Sequence, residues 1–106
     1  MNRGKKKRRG IGYPDKRQAQ VVHAQRRFAE RYGVGLSAPD MRQLVCQITS
    51  GKATLLERQS RHVSVWAVRF DGEILPVVYD RERHVIVSAL PQTDPRYVEQ
   101  LAVLRA

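Results

Sequence analysis

The sequence has one cysteine and no long apolar run, and both shortages exclude whole classes of protein. Cys46, as the single cysteine, cannot form an internal disulfide or a cysteine zinc cluster. No apolar run approaches the roughly 20 residues of a membrane span. The basic N-terminus is not followed by an apolar segment, so we do not expect a secretory signal. A lone thiol fits a reducing compartment, and we expect a cytoplasmic protein.

Recognisable cofactor motifs are also missing. The chain contains no repeat, no glycine-rich phosphate loop and no cluster of metal-ligating residues. Its three histidines do not have the spacing of a zinc site. We therefore expect no metal and no cofactor. The length of 106 residues is enough for one domain with a modest core.

Acidic residues are half as frequent as basic ones, and the basic excess is unevenly distributed. The chain has 20 Lys or Arg against 10 Asp or Glu, which gives a net charge of +10. The first 17 residues carry eight basic residues and one acidic residue, whereas residues 18–106 carry twelve and nine. This distribution favours a polyanionic partner, with nucleic acid first.

Residues 1–15, MNRGKKKRRGIGYPD, are predicted to form a disordered basic arm. Like charges repel, glycine raises chain entropy and apolar residues are few, so we expect disorder until the arm meets phosphate. Several of its side chains are candidates for nucleic-acid binding that weakens steeply with salt: Arg3, Lys5, Lys6, Lys7, Arg8 and Arg9. A solubility tail or a localisation signal is the alternative interpretation.

The residues from Lys16 to Tyr32 have the pattern of an amphipathic helix, with Asp15 as its cap and Gly33 as its stop. Its apolar stripe consists of Val21, Ala24, Phe28 and Tyr32. A second stripe carries His23, Arg27, Glu30 and Arg31. Arginines can grip a phosphate and a histidine can move protons near neutral pH, so the second stripe is a candidate phosphate site. A solvated face with a Glu–Arg pair is the alternative.

A second helix is predicted to start at Ser37 and to end near Ser50-Gly51. Ser37 and Asp40 have the spacing of a capping box, and proline is tolerated in the first turn. The apolar positions that follow have helical spacing, at Met41, Leu44, Val45 and Ile48. Cys46 lies off this stripe with no base beside it in sequence, so we expect a buried or idle thiol rather than a nucleophile.

The stretch from His62 to Leu90 reads HVSVWAVRF-DG-EILPVVY-DRER-HVIVSAL and predicts an antiparallel meander of three strands. Asp71-Gly72 is a strong signal for a two-residue hairpin turn, which would place Trp66 opposite Val77. One face of the hairpin then carries the bulkier side chains and should lie under the helices. The other face could stay partly open. The register of the third strand depends on how the turn at residues 80–83 closes.

A shorter strand is predicted at Lys52–Gln59, before the meander. A short helix should follow Leu90-Pro91, with Asp94 as its cap and Pro95 at its first position. The fold class is therefore α+β, with two N-terminal helices packed on a four-stranded antiparallel meander and a short C-terminal helix. All of these elements belong to a single domain at residues 16–106.

Three charged residues lie where the chain enters the predicted sheet. Glu57 could act as a general base, with Lys52 or Arg58 as an electrostatic clamp. Lys52 and Arg58 are also candidates for nucleic-acid binding. The alternative is an exposed edge strand whose charges prevent aggregation.

Four residues of the meander are further candidates. Trp66 and Tyr79 could stack on bases, but they alternate with aliphatic residues and fit the core better. His84 flanks a turn, where histidine is usually polar surface. Ser88 lies inside an apolar strand and needs a hydrogen-bond partner if it is buried.

The order of these elements, with a histidine on the first helix, resembles the fold shared by barnase, EndoU, the colicin tRNases and RelE. The first helix carries a motif similar to that of small RelE-related and phage-encoded members, H-A-x-x-R-F-x-E-R-Y-G, at residues 23–33. The later patterns VVYD at 77–80 and VIVSALP at 85–91 are also similar, although those members commonly have Thr where this chain has Ser88. The resemblance covers about residues 20–91.

This resemblance implies metal-independent RNA cleavage, often by a toxin, in which the ribose 2′-OH attacks the adjacent phosphate. Mapped by motif position, His23 would be the general acid or base, Arg27 and Arg31 would clamp the phosphate, and Ser88 would donate a hydrogen bond from the sheet. Secondary candidates are Glu57, Arg58, Tyr79 and His84. We expect a bacterial or phage-infected cytoplasm, and an antitoxin or a host protein is a possible partner.

Two other functions are compatible with the same residues. A non-catalytic nucleic-acid-binding protein, such as a phage accessory factor, would bind through the arm and release no product. An inhibitor of a host enzyme would place its basic face on an acidic or nucleic-acid-mimicking surface. Our leading hypothesis is the endoribonuclease, with RNA as the first partner and DNA as the second.

Overall fold

The computed structural model describes residues 16–106. The predicted disorder of the arm, its candidate residues from Arg3 to Arg9 and the Asp15 cap lie outside the described residues. The elements in chain order are α1 (Lys16–Tyr32), α2 (Ala38–Thr49), β1 (Thr54–Arg58), β2 (Val63–Phe70), β3 (Glu73–Asp80), β4 (Val85–Ala89) and α3 (Val98–Arg105). The predicted α+β class is confirmed. Among the described helices, none is long and apolar enough to cross a membrane.

The first two helices end and begin where local chemistry predicts. Gly33 has a φ of 71°, a conformation that favours glycine, and its N–H donates to the Ala29 carbonyl at 3.0 Å. The capping box of α2 is complete: Ser37 Oγ accepts from the Asp40 N–H at 3.1 Å, and Asp40 Oδ2 accepts from the Ser37 N–H at 3.0 Å. These two signals confirm both helix boundaries.

The four strands form one antiparallel sheet in the order β1-β2-β3-β4. The β2–β3 hairpin has the predicted register, with Phe70 opposite Glu73 and Trp66 opposite Val77. Its two turn residues both have positive φ, 53° at Asp71 and 78° at Gly72. This combination matches the twist of antiparallel strands, which is why Asp-Gly favours a two-residue hairpin.

Each edge strand contains one unpaired extra residue. In β1 the pairing shifts between Leu55 and Glu57, and in β4 it shifts so that Ser88 pairs with Val78 while Ile86 pairs with Tyr79. Such bulges twist an edge away from flat pairing with another chain. In β4 the bulge also decides which side chains face the helices, because a slip of one residue exchanges the faces.

The core has two layers, one on each face of the sheet. On the helix face, Ala24 and Phe28 from α1 and Leu44 from α2 are fully buried against Val77 and Ile86. On the opposite face, Tyr97 and Leu101 cover a smaller apolar set, Val65, Ala67, Ile74 and Val78. The sequence pattern left this second face partly open, and the structure shows that the segment containing α3 covers it.

Pro76 leaves one carbonyl of the sheet margin without a ladder partner. The Leu90 N–H donates to the Pro76 carbonyl at 2.9 Å, but proline has no N–H to return to the Leu90 carbonyl. The Tyr32 hydroxyl donates to that carbonyl instead. Burial raises the pKa of Tyr32 to about 12, despite the opposing effect of Arg31, so the hydroxyl stays protonated at neutral pH. The end of α1 is thereby attached to the sheet.

Two predicted boundaries are wrong. The C-terminal helix begins at Val98, because Asp94 forms a separate turn in which its Oδ1 accepts from the Arg96 N–H at 3.0 Å. Its carboxylate also pairs with the Arg96 guanidinium at 2.8 Å. The first strand is Thr54–Arg58 rather than residues 52–59.

Candidate nucleic-acid interface

The outer stripe of α1, defined as His23, Arg27, Glu30 and Arg31, runs beside the β4 edge of the sheet. Two contacts hold the helix in this direction. Gln20 Nε2 donates to Asp80 Oδ2 at 3.2 Å near the start of α1, and Arg31 Nε donates to the Ala89 carbonyl at 3.3 Å near its end. At a rise of about 1.5 Å per residue, His23 and Arg31 lie roughly 12 Å apart along the axis.

The side chains of the outer stripe are available to different degrees. His23 is exposed, and no hydrogen bond to it occurs within residues 16–106. Arg27 Nη1 pairs with Glu30 Oε1 at 3.0 Å, with side-chain exposures of 40% and 52%. An exposed pair of this kind contributes less than about 1 kcal/mol, so a phosphate can replace Glu30 as the partner of Arg27.

Ser88 does not join this stripe. It pairs with Val78, whose side chain belongs to the core layer under α3, and directly opposed residues share a face. The β4 bulge therefore places Ser88 on the face away from α1. The structure therefore does not bring Ser88 together with the other catalytic candidates of the sequence, His23, Arg27 and Arg31.

The structure brings together two turns that are separated by about twenty residues in sequence. The Arg81 N–H donates to the His62 carbonyl at 2.8 Å, and His62 Nε2 lies 3.7 Å from Glu82 Oε2. These contacts join the turns at residues 59–62 and 81–84. We call this the basic end of the sheet, and it comprises Arg58, Arg61, His62, Arg81, Arg83 and His84.

A buried carboxylate organises the basic end. Asp80 is 5% exposed and accepts hydrogen bonds from the backbone N–H groups of Glu82 at 2.9 Å and Arg83 at 3.2 Å. It also pairs with the Arg83 guanidinium at 3.1 Å. Burial alone would raise the pKa of Asp80, but hydrogen bonds from Gln20, Arg83 and Glu82 outweigh it and hold the pKa below its ordinary value. Asp80 therefore remains an anion beneath the turns.

Most of the arginine charge at the basic end faces solvent. Arg58, Arg61 and Arg81 are exposed, and no ion pair to them occurs in the described part of the chain. Because Gln20 near the start of α1 contacts Asp80, the chain also enters the described fold at this end. The basic end thus combines exposed arginines with the start of α1.

An apolar groove of about 390 Å³ lies between α1, α2 and β4, next to the basic end. Its lining is mainly aliphatic, and its polar members are Arg42, Cys46, Thr49 and His84. His84 is held in place from two sides: its backbone has a φ of 57°, and its Nδ1 lies 3.2 Å from the buried Tyr79 hydroxyl. Burial and the neighbouring Asp80 raise the pKa of Tyr79, so this hydroxyl is uncharged at neutral pH.

The remaining candidates from the sequence are dispersed. Lys52 lies near the opposite end of the sheet from the basic end. Its N–H donates a hydrogen bond to the Gln47 carbonyl, and the Gln47 side chain donates one to the Arg69 carbonyl. Glu57 accepts a hydrogen bond from the Tyr97 hydroxyl. Burial is the larger cause, and this hydrogen bond the second, of a raised pKa of Tyr97. Arg58 is the one of these candidates that belongs to the basic end.

The two aromatic candidates pack in or against the core, and the cysteine lies at the surface. Tyr79 is 4% exposed in the core, as the alternation predicted. Trp66 is half-buried against the same core layer, and its Nε1 donates to Ser64 Oγ at 2.7 Å. Cys46 is exposed at the groove, so of the two expected alternatives, a buried or an idle thiol, the buried one is not found. Within residues 16–106, no group of three or more His, Cys, Asp or Glu has a metal-binding arrangement.

Sequence reasoning missed the basic end as a unit. Its signal was present in the run DRER at residues 80–83 and in Arg58 and Arg61, but the contact between the two turns depends on strand pairing.

Comparison with known proteins gives no matching family model, no matching curated protein and no matching solved structure.

Proposed function

We propose that this protein binds nucleic acid, with RNA as the first partner, through the basic end of the sheet and the adjoining outer stripe of α1. The observation that carries the proposal is the meeting of two arginine-bearing turns with the entry point of the chain. In sequence, the first 17 residues carry eight basic side chains, which add to the charge available for phosphate.

The physical basis is neutralisation of phosphates. Each phosphate contact releases counterions, so the logarithm of the association constant falls linearly with the logarithm of salt concentration, by about 0.7 per contact on a single strand. Arginine suits this role because its planar fork can hold two phosphate oxygens at once. Asp80 supports it, since a buried anion beneath the turns lowers the repulsion between their arginines.

The test is fluorescence anisotropy of a labelled single-stranded RNA with the full chain, across a series of salt concentrations. The variant is Arg58→Ser with Arg81→Ser, and the matched control is Arg69→Ser with Arg105→Ser, which removes the same charge elsewhere on the fold. We expect the first pair to lower the salt slope by about 1.4, which corresponds to two lost contacts, and the control pair to leave it nearly unchanged. Equal losses for both pairs would show that net charge, rather than the basic end, drives binding.

A second candidate function is metal-independent endoribonuclease activity at the outer stripe. Its specific support is that His23 is exposed and has no partner within the described residues, beside an arginine whose acidic partner is weakly held. His23 would transfer the proton between the ribose 2′-OH and the leaving oxygen, and Arg27 would hold the charged phosphate. Arg31 would contribute through the guanidinium nitrogens that do not bond Ala89. Ser88 has no part in this version of the site.

Cleavage of a labelled RNA mixture in EDTA tests this second function. Wild type should release fragments with 2′,3′-cyclic phosphate ends, and His23→Ala should release none while it still folds and binds RNA. Gln100→Ala is the matched control, because this exposed residue of α3 lies outside both the outer stripe and the basic end. If wild type binds RNA but cuts none, the protein is a binding protein; if His23→Ala cuts as fast as wild type, His23 is not the catalytic group.

The family resemblance, an antitoxin partner and a bacterial or phage-infected cytoplasm stay predictions. The alternative of an inhibitor that binds a host enzyme also makes a distinct prediction. Its partner would remain bound to the protein after nuclease treatment of a lysate, whereas a complex that depends on nucleic acid would dissociate.

A further inference from the structure

We infer that the groove between α1, α2 and β4 accepts one unpaired base of a single-stranded RNA whose phosphates lie on the basic end. This inference rests on the proposed nucleic-acid binding and names the form of RNA that the site would select. The groove is apolar, so binding of phosphates to charged side chains does not account for it.

The lining of the groove suits a flat, largely apolar group that carries hydrogen-bonding edges. Its walls are aliphatic, from Val21, Met41, Val45, Val85 and Ile86. Arg42, Thr49 and His84 supply polar groups, and no acidic residue lines the groove. A volume of about 390 Å³ lies within the range of small-ligand pockets.

A second groove of similar size differs from the first in the charge of its lining residues. It has a volume of about 440 Å³, and Arg31, Asp71 and Glu73 are among its lining residues. Its two carboxylates repel a phosphate chain, whereas the first groove has an arginine and a histidine without an opposing acid. Charge complementarity therefore assigns an RNA strand to the first groove.

His84 connects the groove to the basic end. It lines the groove and is also the last residue of the turn at residues 81–84, where Arg81 is exposed. The Tyr79 hydroxyl lies within hydrogen-bond distance of Nδ1, and no described residue forms a hydrogen bond with Nε2, so this second ring nitrogen is available to a ligand. The left-handed backbone at His84 is a conformation that most residues avoid, and the residue is exposed at the groove.

The required strand is single because paired bases are stacked inside a duplex. Proteins that read RNA bases usually bind unstacked nucleotides of loops, bulges or ends. A duplex could still lie on the basic end through its phosphates, but none of its bases could enter the groove. Single-stranded RNA and duplex RNA should therefore differ in one contact, the entry of a base into the groove.

Cys46 provides a direct reporter, because it is the only cysteine and is exposed at the groove. The experiment follows alkylation of the full chain by N-ethylmaleimide with intact-mass measurement. Four probes are compared at concentrations that saturate binding: a single-stranded RNA, an abasic strand of equal length, a blunt RNA duplex, and a free nucleoside monophosphate at the same nucleotide concentration. We expect the single strand to slow alkylation about tenfold, in line with the energy of one base contact, and the others to leave it nearly unchanged.

The other outcomes overturn the inference in distinguishable ways. Equal protection by the abasic strand or the duplex would mean that the backbone covers Cys46 and no base enters. Equal protection by the monophosphate would mean that the groove takes a free nucleotide. If the single strand binds without protecting Cys46, the base contact fails while the proposed function stands. If no RNA binds at all, the proposed function itself fails.

A variant that fills the groove gives an independent measurement. Cys46→Trp places a large side chain at an exposed groove position of α2, and Gln100→Trp is the control on the exposed side of α3. We expect Cys46→Trp to weaken single-stranded RNA binding about tenfold and to leave duplex binding unchanged. Equal affinity of the two variants for the single strand would contradict the inference.

Discussion

The two ends of the sheet are each held by one buried polar side chain, but the two side chains differ in charge. At the basic end, Asp80 is 5% exposed and binds the turn at residues 81–84 and α1. At the opposite end, Gln47 of α2 is 7% exposed and bonds both backbone groups of Arg69, at 2.8 Å to the N–H and 2.7 Å to the carbonyl.

The difference follows from what each end must stabilise. An amide can donate and accept, so Gln47 imitates a neighbouring strand and satisfies a complete peptide unit of β2 without adding charge. A carboxylate only accepts, so Asp80 collects donors, and its negative charge offsets the arginines of the two turns. The end that we propose to meet phosphate is therefore the one with an internal anion.

The largest effect should come from Asp80→Ala. This change removes the acceptor of two turn N–H groups and leaves the Arg83 guanidinium without its buried partner, so we expect a loss of about 3 kcal/mol in the free energy of unfolding. Urea denaturation measures it. Asp71→Asn at the opposite end is the control, because Asp71 is exposed and asparagine tolerates its left-handed backbone. A loss below 1 kcal/mol for Asp80→Ala would contradict the anchoring role.

The next effect should come from Gln47→Ala, which leaves the N–H and carbonyl of Arg69 without their buried partner. We expect a loss of about 2 kcal/mol, by the same urea measurement. Arg42→Ala, an exposed position of the same helix that does not contact Gln47 through a hydrogen bond, should cost less than about 0.5 kcal/mol. A similar cost for both variants would mean that helix propensity, and not the link to β2, explains the loss.

A smaller effect is expected in the pH dependence of stability, which should differ between Asp80 at the basic end and Gln47 at the opposite end. The pKa of Asp80 is held below its ordinary value of 3.8, so its charged form is favoured by folding. Its contribution to stability is therefore complete above pH 3.8 and is lost as the pH falls through the folded-state pKa. The stability gap between wild type and Asp80→Asn should narrow over that window, whereas the gap for Gln47→Ala should stay constant. Parallel curves for Asp80→Asn and wild type would contradict this.

The smallest effect should come from Tyr32→Phe, which removes the donor to the Leu90 carbonyl that Pro76 leaves without a ladder partner. We expect a loss of about 1 kcal/mol in thermal or urea unfolding. In a Pro76→Ala background the restored N–H can serve this carbonyl, so the same change should cost less. Equal costs in both backgrounds would show that the two groups are not coupled.

Much of the fold could be predicted because its signals are local. The stop at Gly33, the capping box of Ser37 and Asp40, and the Asp71-Gly72 turn each depend on a few neighbouring residues. The apolar stripe of α1 and the alternation along β2 and β3 then predicted which surfaces would meet. The outer stripe of α1 was predicted for the same reason, since helical spacing places its members on one side.

The failures involve one strand register that depends on distant partners and one local turn that competes with a helix start. Ser88 was grouped with His23 as a catalytic candidate while the register of its strand stayed open, and the extra residue in β4 places it on the face away from α1. Asp94 was assigned as a helix cap, but its pairing with Arg96 forms a turn ahead of the helix. Pairing with β3 selects the register of β4, whereas the turn at Asp94 is formed with Arg96, two residues away.

The helices and strands, the hairpin register and the basic excess follow from short stretches of the chain, because periodicity, turn chemistry and charge are properties of neighbouring residues. Folding of the whole chain is needed to bring the turns at residues 59–62 and 81–84 together, to start α1 near them and to form the groove lined by Arg42 and His84. These positions depend on the pairing of strands and on helix packing over the sheet, and both join residues that are far apart in the chain.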